Sequence, residues 1–520
     1  MCKNWCVTGL PLRQQLADAL ILVEALSAEN AELRARVAVV GQLQVDVEVL
    51  AARLAEQAER IVAQTDRIVL LEAELGKDSS NSSKPPSSDP IGPRQSRAQR
   101  RADTRADKRR QGKQPGAPGA HLARRDPDAL VECRAQRCRG CGADLAGAAV
   151  VGEVRRQVID LPKVTPVVTD HVSYRCRCAC GTETVAAFAP EAKAPVCWGP
   201  EVRALAVYLL YRQHLPVERT AELISDLLGA DVSTGWLCQV QLEAAGKLAG
   251  FITVLKGRLG SEPVLHADET GTRVRTTKHW VHTVCGGLLT LIAVHPKRGR
   301  QALEDIGVLG AYAGTLVHDG YASYDYLDAA RHAQCGAHLV RHLKDVGQTE
   351  AFKAWTADMI AVLLDAKAVS EAALASGHSR VERRRAAAIR RRYHACLDQA
   401  FALLPAEPLP RRRHSGGWSI YQRQAFNLAT RMRADAADVL RLLDDTRIPF
   451  DNNPAERSLR MVKLHDKISG TFHSLNGARA FADIRSYLQT AANHDQNLLG
   501  VLTQLFTDGP WIPPPRATTT

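Results

Sequence analysis

Residues 23 to 75 repeat an apolar side chain every seven positions. In one register eight successive d positions are apolar: Leu26, Leu33, Val40, Val47, Leu54, Ile61, Ile68 and Leu75. A repeat of this length predicts a coiled coil, and Asn30 at an a position is the kind of residue that fixes register and strand number. The alternative is an amphipathic helix that folds back on its own chain. We expect a coiled coil over residues 10–76 that joins copies of this chain into a homo-oligomer.

Residues 77–130 show no apolar periodicity. The Ser- and Pro-rich stretch 79–88 predicts neither a helix nor a core. Residues 77–125 contain 13 basic and 4 acidic residues, a net charge of +9. We expect a disordered basic linker, either a solvated tether or an arm that binds phosphates without reading sequence; the two roles are compatible.

Helical periodicity returns over residues 200–258. Gly229 predicts the end of one helix and Ser233 the N-cap of the next. Helix, short turn and capped helix is the outline of a helix-turn-helix DNA-binding unit, although an ordinary helical hairpin has the same outline.

From residue 263 the period changes to that of strands. Residues 264–267 predict a strand, 279–285 and 288–295 a hairpin joined at Gly286 and Gly287, 300–309 a helix and 315–318 a buried strand. Three strands, a helix and a strand are the opening order of a ribonuclease H-like fold. Residues 330–445 then predict a long helical region, helices resume over 454–506, and 509–520 form a tail.

A run of seven arginines lies between residues 380 and 392. It predicts either a helix that faces DNA or a solvated basic face.

Composition narrows the class of protein. The chain has 520 residues, a net charge of +12 and 45% hydrophobic residues, so it is long enough for several domains and basic enough for a polyanionic partner. No apolar run approaches the roughly 20 residues of a membrane span. We expect a cytoplasmic protein with no membrane partner, in which the 13 cysteines are thiols or metal ligands.

Cysteines cluster over residues 131–185. Cys138 and Cys141 form a Cys-x-x-Cys knuckle, and Cys178 and Cys180, with Cys176 as the alternative, form a second one. Four thiolates hold structural Zn²⁺ tetrahedrally, so we expect a zinc-ribbon-like module; unpaired thiols are the alternative. Five scattered cysteines are predicted to be core residues: Cys197, Cys238, Cys285, Cys335 and Cys396.

Three acidic residues follow settings that suit a metal site. Asp268 and Asp319 each end an apolar run, and Glu456 lies just inside a predicted helix start. Two strand-end aspartates and a helical glutamate hold Mg²⁺ or Mn²⁺ against a phosphodiester. Singly, each has a structural explanation: a turn for either aspartate, or a capping box between Asn453 and Glu456.

Neighbouring groups compete for the same roles. Asp451 is the main rival of Glu456, whereas Glu269 is expected on the opposite face of its strand. His338 and His342 share a helix face at a metal-binding spacing, or are core and surface histidines.

The chain resembles transposases of the insertion sequence 66 family over nearly its whole length. The resemblance rests on the heptads, residues 77–86, the cysteine module and the motifs at 266–270, 318–321 and 451–457. It implies a DDE-type, ribonuclease H-like catalytic domain over 259–508 with Asp268, Asp319 and Glu456 as the metal-binding triad. The 137 positions between Asp319 and Glu456 are then explained by a helical insertion at about 330–445.

The resemblance also implies the reaction and its partners. These are Mg²⁺-dependent cleavage at the inverted repeats of the element, attack of the freed 3′-hydroxyl on target DNA, and accessory proteins from the same element. We therefore expect a multidomain α+β DNA transposase. A zinc-dependent DNA-binding protein with an inactive catalytic domain and a ribonuclease H-like nuclease without strand transfer are the alternatives.

Overall fold

The computed structural model describes residues 12–75, 122–162, 164–189, 191–404 and 420–515. Helix α1 belongs to one compact unit and the residues from 122 onward to a second. Of the predicted linker only 122–130 lie within the described residues, and of the predicted tail only 509–515.

The N-terminal unit contains one helix, α1, Leu12–Leu75. Every d-position side chain that is described is exposed: Leu26, Leu33, Val47, Leu54, Ile61 and Ile68. The helix therefore does not bury its apolar stripe within its own unit. Despite the 64 residues of α1, neither it nor any other described helix is apolar enough to cross a membrane.

The cysteine-rich segment has little regular structure. A short antiparallel pair, β1 (Arg175–Arg177) and β2 (Glu183–Val185), is its only sheet within the described residues. None of the described residues between 122 and 197 is buried. A segment that buries so little apolar surface depends on something other than a hydrophobic core, as metal-bound modules do.

Four helices follow: α2 (Pro200–Tyr211), α3 (Val217–Leu228), α4 (Thr234–Lys247) and α5 (Ala249–Leu259). The predicted boundaries between α3 and α4 are confirmed. Gly229 ends α3 with a φ of 62°, and the Ser233 hydroxyl accepts a hydrogen bond from the Trp236 N–H at 3.1 Å. These caps are common to helical hairpins and helix-turn-helix units, so the DNA-binding role stays a prediction.

A five-stranded sheet forms the centre of the second unit. Its strands are β3 (Val264–Val274), β4 (Thr277–Gly286), β5 (Leu289–His295), β6 (Thr315–His318) and β7 (Arg331–Gln334). The spatial order is β5-β4-β3-β6-β7. The first three strands are antiparallel, whereas β6 and β7 run parallel to β3. Helix α6 (Arg300–Ile306) leads to β6, and the predicted hairpin at Gly286 and Gly287 is confirmed.

Two sequence predictions about this sheet are wrong. Residues 331–334 form β7 and not the start of the helical region, because they pair in parallel with β6 and bury Ala333 and Gln334. Strand β3 does not end before Asp268, because residues 269–274 still pair with β4.

The helical insertion has a hydrophobic core of its own. Its helices are α7 (Gly336–Val346), α8 (Glu350–Ala375), α9 (Arg383–Leu403), α10 (Ile420–Ala434) and α11 (Ala436–Val439). Trp355, Met359 and Tyr393 are among its buried side chains. Within the predicted arginine run, Arg390 forms an ion pair with Asp444 and Arg392 with Asp365. The charges of these two arginines are thus balanced by carboxylates of the chain.

The chain then returns to the sheet through α12 (Asn453–Ile468), α13 (Leu475–Asn493) and α14 (Leu498–Thr507). Helix α13 covers the edge strand β5. The Ser486 hydroxyl accepts from the Ile292 N–H at 2.8 Å, and the Thr490 hydroxyl accepts from the Thr290 N–H at 3.2 Å. These hydroxyls bind the outward-facing backbone groups of β5 and thereby protect the edge from pairing with another strand.

Candidate active site

The parallel pairing of β3 with β6 aligns Asp268 with Asp319. Val264 lies opposite Thr315 and His266 opposite Val317. Asp268 and Asp319 each lie two residues beyond this last pair, and side chains alternate along a strand. The two aspartates therefore lie at the same level and on the same face of the sheet. Asp319 follows the end of β6 as predicted, whereas Asp268 lies within β3.

Glu456 lies in the first turn of α12, as predicted, and this helix packs against β3 and β4. Its side chain is 13% exposed, with Oε2 3.7 Å from Arg341 and 3.6 Å from Arg460. The capping-box alternative is wrong, because Asn452 and not Asn453 occupies the N-cap position. The Glu456 carboxylate therefore does not cap the start of its own helix.

Asp268 lies within range of the charges of the other two predicted carboxylates, although ligand oxygens of Asp268, Asp319 and Glu456 do not all lie within 4.8 Å of one another. Burial raises the pKa of Asp268 well above its usual range, and the negative charges of Glu269, Asp319 and Glu456 raise it further. The charge of Glu456 thus acts on Asp268, whereas the charge of Asp451 acts on His266 two residues earlier in β3.

Each aspartate retains an oxygen for a ligand. Asp268 Oδ1 accepts the Glu269 N–H at 2.8 Å, and Asp319 Oδ1 accepts the Tyr321 N–H at 2.9 Å. The predicted turn at Asp319 is thus formed, with Gly320 at a φ of 83°. In both residues Oδ2 has no hydrogen bond within the described chain. A structural role and a ligand role are compatible in the same side chain.

Glu269 is engaged elsewhere, as its position on the strand predicts. Its Oε1 forms a 2.7 Å ion pair with Arg298, and its Oε2 accepts the Tyr324 hydroxyl at 2.7 Å. The Arg298 guanidinium stacks 3.7 Å from the centre of the Tyr321 ring. Glu269 is therefore a satisfied structural group beside the site.

Asn452 joins α12 to the sheet and was missed by the sequence analysis. It is fully buried, and its side-chain amide donates to the Ala267 carbonyl at 2.8 Å. Its Oδ1 lies 2.9 Å from His266 Nδ1, which must therefore carry the proton. No local pattern reveals this role, because the contacts cross 185 and 186 positions of the chain.

Helix α7 carries His338 beside Glu456. His338 Nδ1 is 3.8 Å from Glu456 Oε1, whereas His342 Nδ1 accepts a hydrogen bond from Arg431 at 3.0 Å. Burial and the charge of Arg431 lower the pKa of His342 to about 4. The two histidines therefore do not form a common ligand pair. Instead His338 lies with Cys335 and Glu456, whose ligand atoms are all within 4.8 Å of one another.

The two cysteine knuckles have similar turns. The Gly142 N–H donates to the Cys138 carbonyl and the Gly181 N–H to the Cys178 carbonyl, with both glycines at positive φ. Hydrogen bonds with Thr182 and Cys178 lower the pKa of Cys180 to about 7. Cys176 instead lies in β1, opposite Thr184.

The four predicted sulfurs are not gathered at one point. Among the described residues, no three of them lie within 4.8 Å of one another. Of the five scattered cysteines, Cys285, Cys335 and Cys396 are buried as predicted, but the prediction is wrong for Cys197 and Cys238, which are exposed because they lie on surface segments.

Comparison with known families matches three parts of the chain. Residues 195–480 match the model described as Transposase IS66 family. Residues 135–181 match the zinc-finger binding domain of transposase IS66, and residues 10–123 match a family of unknown function, DUF6444. The matched zinc-finger segment contains both knuckles, which supports structural zinc.

Two similar proteins are known from Sinorhizobium fredii (strain NBRC 101917 / NGR234). Uncharacterized protein y4qI is 27% identical over 394 residues, which are 70% of each chain. Uncharacterized protein y4jD is 25% identical over 405 residues, which are 71% of this chain and 74% of the relative. The Transposase IS66 family match covers more than half of the 520 residues. This chain therefore belongs to the IS66 family of transposases.

Proposed function

We propose that this transposase is a DDE-type enzyme that cleaves DNA at the ends of an insertion sequence and transfers the 3′-hydroxyl ends into target DNA. The observation that carries the proposal is the register of β3 and β6, which puts Asp268 and Asp319 at the same level, together with the charges of Asp319 and Glu456 that both act on Asp268. Two carboxylates on a rigid sheet and a third on a helix packed against it form a ligand set for phosphoryl transfer with Mg²⁺ or Mn²⁺.

The sheet supports a ribonuclease H-like catalytic domain. Three antiparallel strands are followed by two strands parallel to the first, in the order β5-β4-β3-β6-β7. The helical insertion lies between β7 and α12. It accounts for the 137 positions that separate Asp319 from Glu456 in the sequence.

The three carboxylates fit a divalent cation on electrostatic grounds. Their mutual repulsion and burial disfavour the charged form of Asp268, and a cation held by Asp268, Asp319 and Glu456 relieves both effects. When bound, Mg²⁺ neutralises charge on the phosphate and stabilises the attacking and leaving oxygens. Asp268 and Asp319 are fixed by the paired strands, and Asn452 fixes the start of the helix that carries Glu456.

Two arginines at the site are suited to DNA. Arg341 and Arg460 lie 3.7 and 3.6 Å from Glu456, beyond hydrogen-bond distance, with guanidinium groups that are partly exposed. Guanidinium groups bind phosphate oxygens in a fixed geometry. They would hold the DNA backbone beside the carboxylates and keep the scissile phosphate in place.

The direct test is a strand-transfer reaction with purified full-length protein. The substrate is labelled DNA that carries the inverted repeats flanking the gene, together with a plasmid target and Mg²⁺. We expect nicks that leave 3′-hydroxyl ends, followed by joined products. Binding without nicking would contradict the proposal in favour of an inactive DNA-binding protein, and nicking without joining would favour a nuclease.

We propose Cys138, Cys141, Cys178 and Cys180 as the ligands of the structural zinc. We expect Cys138→Ser with Cys141→Ser to lower the zinc content by one ion per chain, because two of four ligands are lost. Inductively coupled plasma mass spectrometry measures the ratio of zinc to protein. Cys238→Ser, at an exposed cysteine outside the module, is the control and should keep the wild-type content. Equal zinc in the double variant and the control would exclude this assignment.

We propose that the exposed stripe of α1 joins copies of the chain. Leu33→Asp with Leu54→Asp places two charges on the stripe, and we expect the oligomer to dissociate because these d positions would face the partner helix. Sedimentation velocity measures the change in mass. Arg53→Asp with Glu56→Lys, at exposed c and f positions away from the stripe, should leave the mass unchanged. A monomeric wild-type chain would refute the coiled coil.

A further inference from the structure

Cys335, His338 and Glu456 form a cluster that the proposed chemistry does not use as a unit. Cys335 is the N-cap residue of α7, His338 lies in the first turn of α7, and Glu456 lies in the first turn of α12. One potential ligand atom from each lies within 4.8 Å of the other two. Among the described residues this is the only group of three or more such side chains at this spacing.

The distance between His338 and Glu456 suits two ligands of one ion. His338 Nδ1 and Glu456 Oε1 are 3.8 Å apart, which is too far for a hydrogen bond. Ligands about 2.0–2.3 Å from a tetrahedral ion are separated by roughly 3.3–3.8 Å. A cation between these atoms therefore requires little movement of either side chain.

Both atoms also lack a partner. His338 Nδ1 and Glu456 Oε1 are buried and have no hydrogen bond within the described chain. Arg341 and Arg460 lie against the other carboxylate oxygen, Oε2. Buried polar atoms are almost always satisfied in folded proteins, so an unpaired nitrogen and an unpaired oxygen that face each other indicate a missing ligand.

The third group is held in place by the backbone. The Asn452 N–H donates to Cys335 Sγ at 3.3 Å, and the Gly336 N–H donates to the Phe450 carbonyl at 2.8 Å. These bonds tie the start of α7 to the segment that leads into α12. They fix the sulfur relative to Glu456, and such preorganisation favours metal binding.

The donor set determines the class of cation. One thiolate, one imidazole and one carboxylate suit Zn²⁺ or Co²⁺, whereas Mg²⁺ selects oxygen ligands. We propose that Cys335, His338 and Glu456 form a transition-metal site that shares Glu456 with the catalytic cation. Binding releases the Cys335 thiol proton to solvent. Resting on the proposed function, the consequence is inhibition: Zn²⁺ at this site removes Glu456 from the carboxylate trio.

Cobalt binding tests the site without any assay of activity. Metal-free full-length protein is titrated with Co²⁺, and the thiolate-to-cobalt charge-transfer absorption is recorded. We expect Cys335→Ser to lose one part of this absorption, and Cys138→Ser with Cys141→Ser to lose a different part and keep the first. Cys396→Ser, at a buried cysteine in the insertion, is the matched control and should retain both. Identical spectra for wild type and Cys335→Ser would overturn the site.

A second variant guards against a folding defect in Cys335→Ser. His338→Gln keeps the thiol, and we expect it to weaken Co²⁺ binding at this site at least about tenfold, a loss typical even of outer partners of a metal. Circular dichroism confirms that each variant is folded. Unchanged affinity in folded His338→Gln would equally overturn the site.

Zinc inhibition tests the link to catalysis. Cleavage at constant Mg²⁺ is measured with increasing free Zn²⁺, each protein being compared with its own rate without zinc. We expect Cys335→Ser to need at least about tenfold more Zn²⁺ for half inhibition than the wild type, because the loss of a metal partner typically weakens binding by this factor. Equal inhibition of both proteins would refute the proposal that Zn²⁺ at this site inhibits cleavage through Glu456. The existence of the site would then be decided by the cobalt titration. A chain without cleavage activity contradicts the proposed function and leaves the cobalt test intact.

Discussion

Asp268→Asn should abolish DNA cleavage and at the same time stabilise the metal-free protein. We expect the cleavage rate to fall at least about 10³-fold, the scale on which the loss of one member of a cooperative catalytic unit acts. The amide has the same shape as the carboxylate but removes a partly buried charge that faces Glu269, Asp319 and Glu456. We expect the free energy of unfolding in chelator to rise by about 0.5–2 kcal/mol, as when a strained functional site is relieved.

Gel-based cleavage assays and thermal unfolding with and without Mg²⁺ measure the two effects. Mg²⁺ should raise the unfolding temperature of the wild-type protein, because a ligand that binds only the folded state stabilises it, and should have little effect on the variant. Asp328→Asn, at an exposed aspartate beyond the same sheet edge, is the matched control and should retain activity and the response to Mg²⁺. A destabilised Asp268→Asn protein would indicate a structural role for this carboxylate.

The positions of the carboxylates could be predicted because each lies in a strong local pattern. Asp319 directly follows the apolar strand β6, and Glu456 lies in the first turn of a helix whose start is marked by Pro454. The apolar run before Asp268 likewise predicts that a strand ends there. Strand β3 continues because β4 pairs with it well beyond Asp268, and pairing between strands is not encoded in the apolar run alone.

Elements that depend on distant contacts were missed for the same reason. Strand β7 has only four residues, starts with Arg331 and His332, and is a strand because β6 lies beside it. Cys335 was predicted to be a core residue, which its burial confirms, but its sulfur also lies beside His338 and Glu456. The Cys-x-x-His spacing is a local signal for this cluster. The contribution of Glu456 cannot be predicted locally, because this residue meets Cys335 and His338 only in the folded chain.

Asn452 is the clearest case of a residue whose importance only the structure reveals. Its side chain bonds to His266 and Ala267 in β3, next to Asp268, and its backbone N–H bonds to Cys335 Sγ. Glu456 lies four residues after Asn452, and its N–H donates to the Asn452 carbonyl at 3.1 Å. Asn452 therefore ties the start of α12 to β3 beside Asp268, in addition to the packing of the helix against the sheet.

Asn452→Ala should accordingly impair both the fold and the reaction. It leaves the Ala267 carbonyl and His266 Nδ1 buried without partners, so we expect the free energy of unfolding to fall by about 2–5 kcal/mol. A shift of Glu456 by about 1 Å is expected to slow cleavage roughly hundredfold. The Mg²⁺ concentration for half-maximal cleavage should rise as well, a change that loss of stability alone does not produce in protein that is still folded. Asn453→Ala, at the exposed neighbouring position, is the control and should leave stability and Mg²⁺ dependence near those of the wild type. If Asn452→Ala unfolds more easily but needs no more Mg²⁺, the amide supports the fold without positioning Glu456.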